Sequence, residues 1–285
     1  MANSTKNVLA AWLASRLPTE LQTWLNGKLT ELPAQDLPKL QLSLAIVARR
    51  LGKAPLDLSA VELRAANAAR EGWNPSAWTL ADAGRILVLL SYEQDSATFG
   101  ETFQHLCRHA DFAELISLYR GLPLYPSSAA LDWQIGEGLR TSIQTVFEAI
   151  AYDNPLPAEQ FDDHRWNHMI LKALFIGATL PPIMGLDRRR NPQLAAILVD
   201  HVHERWAAGR TVDLHVWRCI APFSDDAIRA DLAKLAESAN PAERSAAALC
   251  LLERPAPWSE ELIAVLAPVV ALIRSNQLSW DNLAA

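Results

Sequence analysis

Apolar residues recur at intervals of three and four positions along most of the chain, which is the spacing of an α-helix. The segment DLPKLQLSLAIVARRLG predicts a helix with Asp36 as its N-cap and Gly52 at its end, because glycine favours the backbone conformation that follows a helix. In TLADAGRILVLLS, Leu80, Leu87 and Leu90 fall on one helical face. No segment shows a convincing strand-like alternation of apolar and polar residues, so the pattern predicts an all-α protein.

The segment SSAALDWQIGEGLRTSIQTVFEAIAY predicts one long helix that ends before Asn154. Asn-Pro pairs begin at Asn74, Asn154, Asn191 and Asn240, and three of them are followed by helical sequence. Asparagine caps the free amide groups of a helix start, and proline suits the first helical position. The last three pairs lie 37 and 49 residues apart, and HEAT-type helix pairs repeat about every 40–47 residues.

These patterns predict a helical bundle or solenoid with HEAT-like helix-pair stacking, clearest in the C-terminal half. For the N-terminal half, a repeat stack and an irregular helical bundle fit the pattern equally well. We expect a single all-α domain over residues 1–285. A subdivision into residues 1–155 and 156–285 is the alternative, and AYDNPLPAEQ is the best candidate boundary between them.

The composition narrows the class of protein. The 285 residues are 50% hydrophobic and 20% charged, as in a globular protein with a sizeable core. A net charge of −6 disfavours non-specific binding to nucleic acid. The three cysteines are widely spaced, which indicates structural thiols in a reducing compartment. The N-terminus does not have the pattern of a signal peptide, and the most apolar run is too short to span a membrane. We therefore expect a soluble, cytoplasmic protein without a transmembrane segment.

Histidines suggest metal binding at two places, but their spacing argues against it. In HVHERWAAGR, His201 and His203 are two residues apart, so on a helix they point about 160° apart and lie at the two borders of an apolar stripe. In HRWNHMILKALF, His164 and His168 share one face, but Lys172 follows on that same face and would repel a divalent cation. We predict neither a metal nor another cofactor.

The segment Trp166 to Phe223 resembles the EboA-domain family of bacterial proteins. The resemblance rests on WNHMILKALFIG, on GLDRRRNPQLA, and on ERWAAGR followed by Trp217. It covers about the last 120 residues well and the first 150 more loosely. It implies a role in making or exporting a secondary metabolite and carries no assigned reaction. Five large residues of this region are predicted to lie in the core: Trp166, Leu174, Leu198, Trp206 and Trp217.

The polar positions of the family-like motifs are the candidate ligand-binding residues: Asn167, Lys172, Asp187, Arg188, Asn191, Glu204, Arg205 and Arg210. They predict either an anion site at the start of the helix after Asn191 or an ion-pair network that ties helix ends together. No catalytic motif is found. We expect a non-catalytic accessory or scaffold protein that binds a pathway protein or an anionic small molecule. The alternative is an enzyme or carrier with a basic pocket for a phosphate- or carboxylate-bearing metabolite.

Overall fold

The computed structural model describes residues 2–32, 37–92 and 95–283 and is helical throughout. These residues form 17 α-helices and four short 3₁₀ turns, and they contain no strand. An isolated β-bridge joins Pro55 and Thr79. The all-α prediction is confirmed. Asp36, the predicted cap of the third helix, lies outside the described residues.

The chain forms two compact units, residues 1–160 and 161–285. The HEAT-like repeat and the domain organisation expected from the sequence remain predictions. The helices of the first unit are α1 (Ala2–Arg16), α2 (Thr19–Glu31), α3 (Leu37–Leu51), α4 (Ala60–Ala69), α5 (Leu80–Ser91), α6 (Ser96–His109), α7 (Phe112–Arg120), α8 (Ala129–Leu139), α9 (Gln144–Ala151) and α10 (Leu156–Gln160). A 3₁₀ turn at Leu122–Leu124 follows α7.

The central helix of the first unit is α5, which packs against α1, α3 and α7. Thr79 and Asp82 form a capping box at its start, so the first free amide groups have partners. Nine consecutive residues of α5, from Ala81 to Leu89, are buried. A helix with so little exposed surface belongs to the core. Earlier in the chain, α3 ends as predicted before Gly52, whose φ of +76° suits glycine.

The single long helix predicted for residues 127–152 is wrong, because the structure divides this segment into α8 and α9. After α8 the chain turns, and the Thr141 hydroxyl accepts a hydrogen bond from the Ile143 amide at 3.1 Å. The turn lets α9 fold back against α8. Gly138 allows the close approach, since a Cβ there would lie 2.5 Å from Cδ1 of Ile150. Burial of both apolar faces therefore prevails over local helix propensity.

The second unit contains α11 (Asp163–Ile176), α12 (Pro192–Ala207), α13 (His215–Ile220), α14 (Arg229–Ala236), α15 (Pro241–Glu253), α16 (Ser259–Val265) and α17 (Ala267–Arg274). Three 3₁₀ turns complete it, at Ala221–Phe223, Asp226–Ile228 and Trp280–Asn282. Asn191 and Asn240 cap α12 and α15 as predicted. Helix α15 packs against α13, α14 and α17.

Of the five predicted core residues of this unit, Trp166, Leu198 and Trp217 are fully buried. Leu174 and Trp206 are only half-buried, so their assignment to the core is wrong. The Trp206 ring lies between Trp217, at 5.9 Å between ring centroids, and the ammonium group of Lys234, at 3.7 Å. A tryptophan in this position covers the core with one ring face and binds a cation with the other.

Candidate functional site

The loop before α12 is held against α11 by two asparagine side chains. The buried Asn167 donates from Nδ2 to Oδ1 of Asn191 at 3.2 Å, and Asn191 donates back to Oδ1 of Asn167 at 2.9 Å. Oδ1 of Asn191 also accepts from the Leu194 amide at 2.9 Å, which caps α12. The structure thus brings these two predicted site residues together. Their amide groups are largely engaged within the fold.

Two of the three consecutive arginines in this loop are bound by carboxylates. Arg189 donates to Oδ1 of Asp163 at 3.1 Å and to the carbonyl oxygen of Phe161 at 2.8 Å. Arg190 pairs with Oε1 of Glu253 at 2.6 Å and donates to the carbonyl oxygen of Arg218 at 3.1 Å. Both side chains are mostly buried by these contacts. They therefore connect parts of the second unit that are distant in sequence.

Asp187 belongs to the same network. Both of its oxygens accept from Arg218, at 2.7 and 2.6 Å, and Arg218 also pairs with Asp281 at 2.8 Å. The hydrogen bonds from Arg218 lower the pKa of Asp187, against the opposing effect of burial. We call the set Asp187, Arg190, Arg218, Glu253 and Asp281 the loop network. Sequence reasoning missed Arg218, Glu253 and Asp281, because ion pairs between distant positions leave no local spacing to recognise.

Arg188 differs from its neighbours. It is exposed, and it has no hydrogen bond or ion pair with the part of the chain that the structure describes. Glu204 is exposed too and is not part of the loop network, although it was expected to neutralise these arginines. Of the three consecutive arginines, Arg188 is therefore the one whose side chain is available to an anionic partner.

The remaining predicted residues do not converge on this loop. Arg205 lies at the far end of α12, about 21 Å from Asn191 at 1.5 Å per residue. Its Nε donates to the carbonyl oxygen of Thr211 at 2.9 Å. Arg210 follows that end and is exposed. The expectation that Arg205 and Arg210 join a basic site at the loop is wrong, because the length of α12 separates them from it. Lys172 lies half-buried on α11, and its place in such a site stays a prediction.

The histidine pairs have ordinary structural contacts. The His164 and His168 rings are exposed, with centroids 4.2 Å apart, and Nδ1 of His168 lies 2.9 Å from the carbonyl oxygen of His164. His203 is exposed as expected and pairs with Asp231 at 2.8 Å. His201 is buried against Phe175, so its expected place at a solvent border is wrong. Within the described ranges, no group of three or more metal-ligating side chains is found.

The cysteines are structural, as their wide spacing indicated. Cys107, Cys219 and Cys250 are buried and unpaired. Burial raises the pKa of all three thiols, that of Cys219 to about 12. Thiolates are the reactive form of cysteine, so these side chains are poor nucleophiles.

The first unit contains a cavity of about 590 Å³, which sequence reasoning did not anticipate. Most of its lining is aliphatic or aromatic and comes from α5, α6, α8, α10 and the 3₁₀ turn after α7 with the residue that follows it: Leu89, Phe99, Leu122, Tyr125, Leu131 and Leu156. We call it the α5–α6 cavity. Its lining also includes two cationic side chains, Lys6 and Arg70. Arg70 is already held by both carboxylate oxygens of Glu159, at 3.1 and 2.5 Å. The volume lies within the range of about 300–1,000 Å³ that is usual for ligand cavities.

A comparison with known protein families identifies the family of this chain. The family model described as "Metabolite traffic protein EboA" matches residues 5–221. The protein is therefore a member of the EboA family. The match includes almost all of the first unit and stops before α14, so the family resemblance extends further toward the N-terminus than its motifs indicated. No curated protein and no solved structure matches the chain. In the described part of the chain, no helix is both long and apolar enough to cross a membrane.

Proposed function

We propose that this protein is a non-catalytic accessory protein in the synthesis or export of a secondary metabolite, and that it holds an apolar or amphipathic metabolite in the α5–α6 cavity. The observation that carries the proposal is the cavity itself, about 590 Å³ with a largely apolar lining. Ligand cavities in proteins measure about 300–1,000 Å³ and are mostly apolar with few polar groups. Membership of a metabolite traffic family fits a binding role.

The side chains around the cavity favour binding over chemistry. The Tyr125 ring packs against Phe99 and Phe103, at 5.2 and 5.5 Å between ring centroids, and so forms a rigid aromatic wall. Arg70 is fixed by Glu159 and by the carbonyl oxygen of Pro123. Lys6 lies half-buried at the edge. An apolar interior with cations at its margin suits an amphipathic molecule whose charged end stays near solvent.

The test is to fill the cavity without disturbing the fold. Ala69 lines the cavity at the end of α4 and is half-buried, whereas Ala68 beside it is exposed and does not line the cavity. We expect Ala69→Trp to weaken binding of the neutral fluorescent probe N-phenyl-1-naphthylamine about tenfold or more. Ala68→Trp is the matched control and should bind like the wild type. Equal probe binding by both variants, or none by the wild type, would contradict the proposal.

A second candidate function is that of a scaffold that docks an acidic pathway protein at the Arg188 loop. Its support is that Arg188 has no partner among the described residues, while Arg189 and Arg190 are held by carboxylates. A loop that is already ordered would lose little entropy on binding. Affinity capture from the native cytoplasm should lose a specific partner in Arg188→Ala and keep it in Arg229→Ala, an exposed arginine of the same unit. Identical capture by both variants would exclude this docking site.

A further inference from the structure

Helix α5 carries two charged side chains within its buried stretch. Asp82 is 4% exposed and Arg85 is 6% exposed, and Ser117 of α7 lies between them, fully buried. Taking a charge out of water is costly unless an opposite charge or several hydrogen bonds compensate it. The two side chains therefore need partners. Asp82 has many of them in the structure, and Arg85 has few.

Asp82 is fully compensated. Its Oδ2 accepts from the Thr79 amide and hydroxyl, at 2.8 and 2.7 Å, and pairs with Nη1 of Arg120 at 2.6 Å. Its Oδ1 accepts from the Ser117 hydroxyl at 2.6 Å. The carboxylate thus has four donors, one of them cationic, and has no need of a further cation.

Arg85 has no carboxylate within hydrogen-bonding distance among the described residues. Its Nη1 donates to the Ser117 hydroxyl at 3.1 Å, and its Nε donates to the carbonyl oxygen of Leu44 over a long 3.4 Å. Both acceptors are neutral, and a guanidinium has five N–H donors. Across the described ranges of the chain, Arg85 forms no ion pair. The guanidinium is therefore a buried cation with unused hydrogen-bonding capacity.

A cavity of about 460 Å³ lies against Arg85. We call it the Arg85 cavity. Four cations and three carboxylates line it: Arg49, Lys53, Arg85, Arg120, Asp82, Asp111 and Glu114. Because Asp82 and Arg120 neutralise each other, the rest comprises three cations and two carboxylates. Arg49 and Lys53 are exposed, so they can attract an anion without holding it tightly.

Glu114 is a carboxylate of the Arg85 cavity that interacts electrostatically with Arg85. Its charge interacts with Arg85, but the two side chains do not form an ion pair. Burial raises the pKa of Glu114, the Arg85 charge lowers it, and Asp111 raises it further. Asp111 is engaged as the N-cap of α7, where it accepts from the Glu114 amide at 2.8 Å. Neither carboxylate therefore serves as a tight counter-ion for Arg85.

We propose that the Arg85 cavity binds a small monocarboxylate, whose oxygens pair with the guanidinium of Arg85. Planar guanidinium and carboxylate groups form two parallel hydrogen bonds, and Arg85 has the donors to spare. A single negative charge fits the small excess of cations, whereas the carboxylates of Asp111 and Glu114 would repel a dianion such as a phosphate ester. This site is separate from the α5–α6 cavity, and the proposal does not depend on that cavity's function.

The test is to titrate the full-length protein with sodium benzoate, with sodium chloride at the same ionic strength as the reference, by isothermal titration calorimetry. The expected result is benzoate binding in the wild type that weakens about tenfold or more in Arg85→Met, because a hydrogen-bonded charge pair is lost. Arg64→Met removes an exposed arginine of the same unit and is the matched control. Unchanged affinity in Arg85→Met, or no heat with the wild type, would overturn the proposal.

Two further arms keep the test decisive. If Arg85→Met does not fold, Glu114→Gln replaces it. Removal of the Glu114 charge, which would compete with benzoate for Arg85, should tighten benzoate binding several-fold. Weaker or unchanged binding overturns the proposal. Inorganic phosphate at the same ionic strength should bind much more weakly than benzoate. Phosphate that binds as tightly as benzoate would overturn the assignment to a monocarboxylate.

Discussion

Two paired arginines of the second unit and the buried Arg85 of the first unit contrast sharply. In the loop network, Arg190 and Arg218 each have carboxylate partners, and those carboxylates reach solvent. Arg85 is buried on the central helix with only neutral acceptors, although Asp82 lies one turn before it. The first arrangement is a set of structural ion pairs that holds distant parts of the second unit together. In the second arrangement, N–H donors of a buried cation have no acceptor among the described residues, which packing alone does not explain.

Loss of the buried carboxylate should have the largest effect on stability. Asp82→Ala removes the partner of Arg120 and of Ser117, and it removes the side-chain half of the α5 capping box, in which the carboxylate accepts from the Thr79 amide. We expect the free energy of unfolding to fall by about 3 kcal/mol, since breaking a buried ion pair leaves the other charge uncompensated. Urea denaturation followed by circular dichroism measures this. Asp163→Ala, which breaks the exposed pair with Arg189, is the control, and an equal loss in both variants would contradict the contrast between the units.

Removal of the hydroxyl between the two buried charges should have an intermediate effect. Ser117 donates to Asp82 and accepts from Arg85, so Ser117→Ala leaves Arg85 with one weak hydrogen bond. We expect a loss of about 1–2 kcal/mol in urea denaturation, which is the cost of a buried polar group without its partner. If the Arg85 cavity binds carboxylates, benzoate should restore part of this stability. A variant as stable as the wild type would show that Ser117 does not hold the pair together.

The loop network should contribute less, and its contribution should depend on pH. Asp187→Asn should cost about 0.5–1 kcal/mol at pH 7, because the pair with Arg218 is partly exposed and screened by solvent. The folded pKa of Asp187 lies below its unfolded value of about 3.9. The stabilisation is thus complete above that value and is lost as the pH falls through the folded pKa.

The measurement for Asp187 is a pair of urea titrations at pH 7 and near pH 3. The difference in stability between the wild type and Asp187→Asn should shrink at the lower pH and should also shrink at high salt. Ser117→Ala is the matched comparison. Its loss of stability does not depend on an exposed charge, so that loss should stay nearly constant as the salt concentration rises. A difference for Asp187→Asn that grows toward low pH would have the wrong sign for a carboxylate with a lowered pKa.

Local signals in the sequence predicted the fold class and several helix boundaries. Gly52, Asn191 and Asn240 mark helix boundaries through chemistry that acts within a few residues. The break between α8 and α9 was not predictable in this way. It depends on Gly138 meeting Ile150 across a turn, and that contact exists only in the folded unit.

The candidate site was predicted less well, for a related reason. The sequence showed a cluster of arginines, but the partners of Arg190 lie far along the chain, at Glu253 above all. Asp82 and Arg85 were visible as two charges three residues apart in an apolar helix. Their significance depends on Ser117 and Leu44, which no spacing in the sequence connects to them.

The smallest effect on stability is expected for Arg188, the exposed arginine in the loop before α12. Arg188 is exposed and has no partner in the described part of the chain, so Arg188→Ala should change the free energy of unfolding by less than about 0.5 kcal/mol. Arg190→Ala removes the pair with Glu253 and should cost more, which makes it the matched comparison. Urea denaturation of both variants separates a binding arginine from a structural one. If Arg188→Ala is as destabilised as Arg190→Ala, Arg188 belongs to the loop network and not to a docking site. A stable Arg188→Ala variant that loses its partner in affinity capture would instead assign Arg188 to partner recognition.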